Sequence, residues 1–463
     1  MPAGSMQLHA IGAQNEYINY TDHLKPDSHI MPDISYFKAV YHKTVNFAIE
    51  QYEHIIENPI SVDEWKGRVT LGSNNGDLVS DIALYIEFTV GASMSGTGVD
   101  TNYFSFTNST GHAYIKDYTL LIGSIPITKH FSEWLDIYNE LTDYKKTGWT
   151  GINKHAGKSV YYKSVKNIYA DELDRRRYLI ADDKLTCYVP LPLPLTTTGA
   201  FLPLIALYNT RVELQFTFRR LSAIFNSNST FSKPAIKPNV TLLVDYILLD
   251  DKTRRIFRDD RHQYVIEQVQ RIDPQQFENT HTLTFNHPIK EVIWVIRNKN
   301  AGTECADPAA ISAQTDATLN VSSATPGYSA SWKYNDYFNY SCASRQYSET
   351  VGGLTSFEPF EYATILFDGV ERITRRKPAY FRIYQPSLYH SNPPMKHIYL
   401  YSFSRDPENS KAYGTANLSM IQKFQIQFTN IITDHTEYEL IPFAINYNVL
   451  CCLNGQAGVR FKT

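Results

Sequence analysis

Between 211 and 219 the chain reads RVELQFTFR, with Val212, Leu214, Phe216 and Phe218 apolar and Glu213, Gln215 and Thr217 polar. A period of two is what a strand needs to bury one face and wet the other. The alternation returns 212 residues later in KFQIQFTN at 423–430, where Phe424, Ile426 and Phe428 alternate with Gln425, Gln427 and Thr429. Other echoes keep the same order along the chain. FAIEQYEHI at 47–55 returns as YVIEQVQRI at 264–272, IGSIPIT at 122–128 as DGVERIT at 368–374, and LVDYILL at 243–249 as AINYNVL at 444–450. They set Gly123 against Gly369, Ile127 against Ile373 and Tyr246 against Tyr447. Chance matches have no reason to stay collinear, so the pattern predicts two copies of one strand-rich domain. The expected limits are an N-terminal arm over 1–25, a first copy over 26–250, a charged linker over 251–262 and a second copy over 263–463.

The spacing between echoes drifts, which predicts insertions, and insertions belong in loops. The long ones are 90–112, 219–238 and 299–360, all polar and without periodicity. One amphipathic helix is expected over 130–141, with Phe131, Trp134, Leu135, Tyr138 and Leu141 on one stripe. About eight strands per copy, unevenly connected, suit an all-β chain of two tandem eight-stranded jelly-roll sandwiches rather than immunoglobulin-like sandwiches of seven strands. In that topology the three long insertions emerge at one end of the sandwich. The helix region near 130–180 is assigned to the opposite end.

Composition narrows the chemistry. Thirty-three Tyr and twenty-four Phe among 463 residues favour pleated, half-buried surfaces. A net charge of −3 offers no long-range attraction for nucleic acid. The start MPAGSMQLHAIGAQNEY lacks the basic and apolar regions of a secretory leader. The five cysteines, Cys187, Cys305, Cys342, Cys451 and Cys452, have no framework spacing, which predicts free thiols in a reducing compartment. No nucleophile elbow, zinc-protease helix, phosphate loop or Cys-x-x-Cys pair occurs. His281 and His287 have no third ligand at motif spacing and read as strand-end histidines. Catalytic, cofactor and metal residues are therefore expected to be absent. Two basic clusters, DRRRY at 174–178 and TRRKPAY at 374–380, read either as partner contacts or as solvated turns.

Several segments together resemble the major capsid proteins of nucleocytoplasmic large DNA viruses. They are YFKAVYHKTVNFAIE at 36–50, GDLVSDIALYIEF at 76–88, LPLIALYNTRVELQF at 202–216, FNHPIKEVIWV at 285–295 and INYNVL at 445–450, with LHAIGAQNEYI at 8–18 similar to algal-virus members. The chain departs from that pattern in its loops and in LCCLNGQAGVRF at 450–461. The resemblance implies a double jelly roll that trimerises into a pseudo-hexagonal capsomer and tiles an icosahedral outer shell. It implies minor capsid proteins and a penton protein as partners, an inner face towards an internal membrane, and assembly in the host cytoplasm. No direct nucleic-acid contact and no cofactor are implied. The alternative is a glycan-acting enzyme or a glycan-binding attachment protein on paired jelly rolls. Asn108, Asn228, Asn320 and Asn339 stand in Asn-x-Ser/Thr sequons within the long loops and are the candidate glycan-attachment residues.

Overall fold

The computed structural model describes residues 46–57, 61, 63–90, 104–106, 109–146, 184–195, 200–227, 236–299, 337–338, 340, 358–394, 396–409, 413–432 and 435–461. Eight strands build a first roll: β1 Phe47–Ile55, β2 Trp65–Leu71, β3 Leu78–Val90, β4 Ile115–Ile122, β5 Ile125–Phe131, β6 Lys184–Pro190, β7 Val212–Phe218 and β8 Ile236–Leu249. Eight more build a second: β9 His262–Arg271, β10 Thr280–Leu283, β11 Pro288–Asn298, β12 Tyr362–Phe367, β13 Val370–Arg376, β14 Ile398–Ser402, β15 Phe424–Thr429 and β16 Tyr438–Leu453. The first roll pairs them as β1-β8-β3-β6 and β2-β7-β4-β5. The second repeats that order with every number raised by eight, β9-β16-β11-β14 and β10-β15-β12-β13. All these pairings are antiparallel. This is the double jelly roll expected from the sequence.

Register tests the repeat residue by residue. In β7, Phe216 lies opposite Tyr118 of β4, and in β15, Phe428 lies opposite Ala363 of β12, equivalent places in the two rolls. Both β3 and β11 carry a one-residue bulge, at Ser80 and Lys290, where each crosses the last strand of its roll. That landmark corrects the expected pairing of Tyr246 with Tyr447. Tyr246 is opposite Val79 and Asn446 is opposite Ile289, so Asn446 is the true counterpart of Tyr246. A slip of one residue moves a side chain to the other face of the sheet. The first-strand echo is out of phase in the same way, because Glu50 faces Tyr246 whereas Gln268 faces Asn446. The hairpin turns also differ by one. Gly123-Ser124 turn in the first roll and Asp368-Gly369 in the second, all four at positive φ, so Gly123 matches Asp368 and Ile127 matches the bulged Arg372 rather than Ile373.

The two rolls bury their sheets differently. In β7 alternate residues are buried, as a one-sided strand requires. In β11, β14 and β16 burial is nearly continuous. Val292, Trp294 and Ile296 fill the second roll's own core, while Ile293 and Val295 point the other way into the apolar cluster that includes the first roll. Trp134 of the helix α2, Ser132–Lys146, which comes after the short helix α1, Thr110–Tyr114, packs against Phe443 at 5.7 Å between ring centroids. A sheet covered on both faces reads as a continuous apolar run, which is why EVIWVI and IYLYS do not alternate.

Three connections hold features that periodicity did not predict. The linker is a helix, α3 Asp251–Asp259, capped by Asp250, whose side chain accepts from the Thr253 amide at 2.9 Å. Its Arg254 reaches the buried Asp77 at 2.8 Å, which fastens α3 to the first roll. The helix α2 follows β5, and Arg219, just after β7, bonds both Ser132 at its start and the carbonyl of Ala113 before β4. The helix is therefore at the same end as the connections 91–114 and 219–235, not opposite them. Finally, β16 turns at Asn454-Gly455, both at positive φ, into β17, Gln456–Val459. The turn latches onto the first roll: the Gly455 carbonyl accepts from the Asn209 amide at 3.1 Å and the Thr210 hydroxyl at 2.8 Å.

Gly455 has φ +78, and a Cβ there would stand 2.9 Å from the Asn209 backbone nitrogen. Gly455→Ala should therefore cost about 1–3 kcal/mol by strain and by forcing the latch open. Denaturant unfolding midpoints of the two proteins measure it.

Candidate functional site

The seam between the rolls holds several of the buried polar groups among the described residues. At its centre is Arg297, whose side chain is 7% exposed at the end of β11. One terminal nitrogen donates to Glu133 of α2 at 3.1 Å and the other to Glu439 of β16 at 2.7 Å. Arg271 lies 4.0 Å from Glu133, and its guanidinium covers the Phe131 ring at 4.3 Å. Lys396 donates to the buried Asp136 at 2.6 Å, and the Asn392 amide group donates to the Glu140 carbonyl at 2.7 Å. Each of these contacts except the one to Glu439 joins the first roll to the second.

Burial alone would raise the Glu133 carboxyl, but the guanidiniums of Arg297, Arg271 and Arg219 override it and hold its pKa at about 2. Removing one partner of such a buried pair leaves the other uncompensated, which is why the network acts as one unit. Aromatic side chains seal it. Tyr337, Phe338 and Tyr340 are buried in the cluster shared by the rolls, with Arg219 over the Tyr337 ring at 4.5 Å. An aromatic-rich stretch such as YSASWKYNDYFNYS at 328–341 would equally suit a contact with a neighbouring subunit. Its described residues instead close the chain's own seam.

A second charged group lies on the same face of the second roll's sheet, beside Tyr138 of α2. His390 sits between Glu291 at 2.9 Å and Glu408 at 3.2 Å. Burial lowers an imidazolium's pKa, but here the two carboxylates prevail and raise it to about 9. Beside it Lys290, the bulged residue of β11, bonds Glu267 at 2.6 Å.

The residues singled out by sequence divide as follows. His281 accepts from the Glu278 amide at 3.0 Å on one ring nitrogen and bonds Gln275 with the other, so both nitrogens are used within the fold. His287 adopts φ 70 at a turn before β11. Among the described residues no cluster of three His, Cys, Asp or Glu could hold a metal. Cys187 and Cys452 are buried free thiols, each pushed up to about 12 by burial. In the TRRKPAY cluster Arg375 stacks on Tyr362 at 3.7 Å, while its neighbours on β13 stay exposed. The DRRRY cluster, Cys305, Cys342 and the asparagines Asn108, Asn228, Asn320 and Asn339 lie outside the described residues. The seam residues themselves went unread as a site, because no local spacing links Glu133 to Arg297.

Glu133→Gln should cost roughly 3–5 kcal/mol, the range for one partner lost from a buried pair. It should also flatten the acid limb of stability. A carboxylate whose folded pKa is depressed stabilises above its unfolded value near 4.5 and loses that contribution as pH falls towards 2. For His390 the sign reverses. Its raised pKa stabilises fully below about 6.5, and the contribution disappears as pH rises through about 9. His390→Asn should therefore remove the stability slope between those pH values, read from thermal midpoints across a pH series.

Comparison with known proteins agrees with the two-roll organisation. Residues 35–250 match a family profile described as major capsid protein N-terminus. Residues 253–458 match one described as large eukaryotic DNA virus major capsid protein. Full-length relatives include the major capsid proteins of Pyramimonas orientalis virus, 27% identical, and Paramecium bursaria Chlorella virus 1, 28% identical, each covering 100% of both chains. Among solved structures, the Paramecium bursaria Chlorella virus 1 capsid chain aligns with a TM-score of 0.68 at 24% identity over 93% of this chain and 100% of that one. The Faustovirus major capsid protein aligns with a TM-score of 0.63 at 12% identity over 90% and 92%. Tandem profile matches meeting at the interroll helix, relatives aligned end to end and two rolls of identical strand order leave one assignment: the chain belongs to the major capsid proteins of large eukaryotic DNA viruses.

Proposed function

We propose that this chain is the repeating tile of an icosahedral outer shell, assembling as a homotrimer whose six rolls form a pseudo-hexagonal capsomer. The observation that carries this reading is the seam: two rolls of identical topology are locked together at both ends of the sandwich. A tile must transmit load across a flat lattice without flexing between its halves, and a buried, charged and apolar seam suits that role. Self-assembly into capsomers and a shell places the protein in the virion. We read its assembly as cytoplasmic, with minor capsid and penton proteins as partners, an inner face towards an internal membrane, no cofactor and no catalytic turnover. The relatives described above carry capsid names, which lends the glycan-acting alternative no support.

The orientation follows from where chain length is tolerated. Connections 91–114, 132–183, 219–235 and 299–361 leave the same end of the rolls, and a lattice accepts such length only where nothing packs above it. That end is read as the exterior, with Asn108, Asn228, Asn320 and Asn339 in its connections as candidate glycan-attachment positions. The arm over 1–25, before a first domain over 26–250 and a second over 263–463, is assigned to the interior side.

Purified protein should sediment at about three times 53.0 kDa. Deleting residues 1–20 should leave that species intact and abolish shell closure seen by electron microscopy. A monomer at tens of micromolar would refute the capsomer reading. Proteolysis of intact particles confined to the latch near Gly455 would invert the orientation.

A further inference from the structure

The seam inside the chain has two sides, and the chain carries a second, open copy of each. One side is the β5 edge of the first roll with α2 behind it. The other is the β9 edge of the second roll with the outer face of its β9-β16-β11-β14 sheet. By strand order, β13 with the segment after it corresponds to the first side, and β1 with the outer face of β1-β8-β3-β6 to the second. Within the chain these surfaces are closed. Thr128 and His130 of β5 are buried, as are Ile293, Val295, Ile441 and Phe443 on the outer face of the second roll's sheet. At the equivalent free surfaces they are open. Val370 on β13 is 71% exposed, Ile49 on β1 is 58% exposed, and Ile383, Tyr384 and Leu388 project from the helical turns that follow β13. On the first roll's outer face Tyr85 and Tyr188 stand as a half-open pair 5.0 Å apart.

The contacts that close the internal seam map onto opposite charges at the open surfaces. Gln268 of β9 donates to the Ile127 carbonyl at the β5 bulge. In register, Gln268 corresponds to Glu50, and Ile127 to the bulged Arg372. Arg271 covers Phe131. Arg271 corresponds to Glu53, and Phe131 to the Arg376–Lys377 step, where β13 carries an extra irregularity. Both mapped contacts thus place an acidic residue of β1 against a basic residue of β13. Nothing in the fold of one chain requires this, since β1 and β13 belong to different rolls and pair with different sheets.

We propose that β13 and the turns after it, 370–389, dock on β1 and the outer β1-β8-β3-β6 face of a second copy of this chain, repeating the internal seam between chains. The contact is heterologous, with different surfaces on the two partners, so successive copies form either a ring or an open filament. Resting on the capsomer reading, the contact closes a ring of three chains, in which internal and intermolecular seams alternate. Glu50 then meets Arg372, and Glu53 meets Arg376 and Lys377. The basic cluster at 374–380 is accordingly a partner contact.

Charge exchange in the full-length protein tests this. Glu50→Arg and Arg372→Glu are both on exposed residues and should each weaken the trimer roughly tenfold or more. The double exchange should restore it, because the pair is re-formed with signs reversed. Glu50→Cys with Arg372→Cys should, under oxidation, link chains covalently into dimers and trimers but no larger species, and neither single cysteine should do so. If trimers form but ignore the reversals and the cysteine pair stays unlinked, this surface assignment fails while the capsomer reading survives. Linkage only within one chain would overturn it too, showing that the chain covers β1 itself. A wild-type monomer would overturn both.

Discussion

The structure depends on one sheet being wanted by two cores. The β9-β16-β11-β14 sheet fills the second roll with Trp294 and its neighbours and simultaneously presents Ile293, Phe443 and others to the first roll. Each such side chain, wholly buried, contributes about 1.5–3 kcal/mol at most. Splitting the rolls would expose that whole face at once. The apolar contact supplies the cohesion, and it has little directionality of its own.

Direction comes from the charges. Arg297 bonded to both Glu133 and Glu439 permits few relative settings of α2 and the two strands, and Lys396 on Asp136 permits fewer. Buried ion pairs are weak sources of net stability, since desolvation offsets much of their attraction. Their effect here is to penalise every arrangement except the paired one. At the opposite end the Asn454-Gly455 latch does the same with main-chain hydrogen bonds. A shell tile needs this combination, because a lattice repeats any hinge motion in every copy.

The two copies have diverged by role while keeping topology. Where the second roll's sheet is covered by the first roll, both faces are buried and largely apolar. Where the first roll's equivalent face stays open on the isolated chain, it carries Tyr85, Tyr188 and Glu53. Equivalent positions thus record what each is packed against, not only which strand it belongs to.

Much of this was legible in sequence. The alternation in β7 and β15 marked one-sided strands, collinear echoes marked the duplication, and the stripe from Phe131 to Leu141 marked α2. These signals are local and each depends on a period. Asn454-Gly455 is likewise a local hairpin signal, an Asn-Gly pair with both residues at positive φ. The one-residue corrections at Asn446, Arg372 and Gln268 have a different cause. Letter similarity carries no register, so like residues one step apart, Tyr447 beside Asn446 or Glu267 beside Gln268, align although they lie on opposite faces. The seam lay beyond sequence altogether. Glu133 and Arg297 are 164 residues apart, and each reads alone as a charged residue at the end of an element. Only the packing of one roll against the other removes water from both, and that desolvation turns two ordinary charges into the lock of the tile.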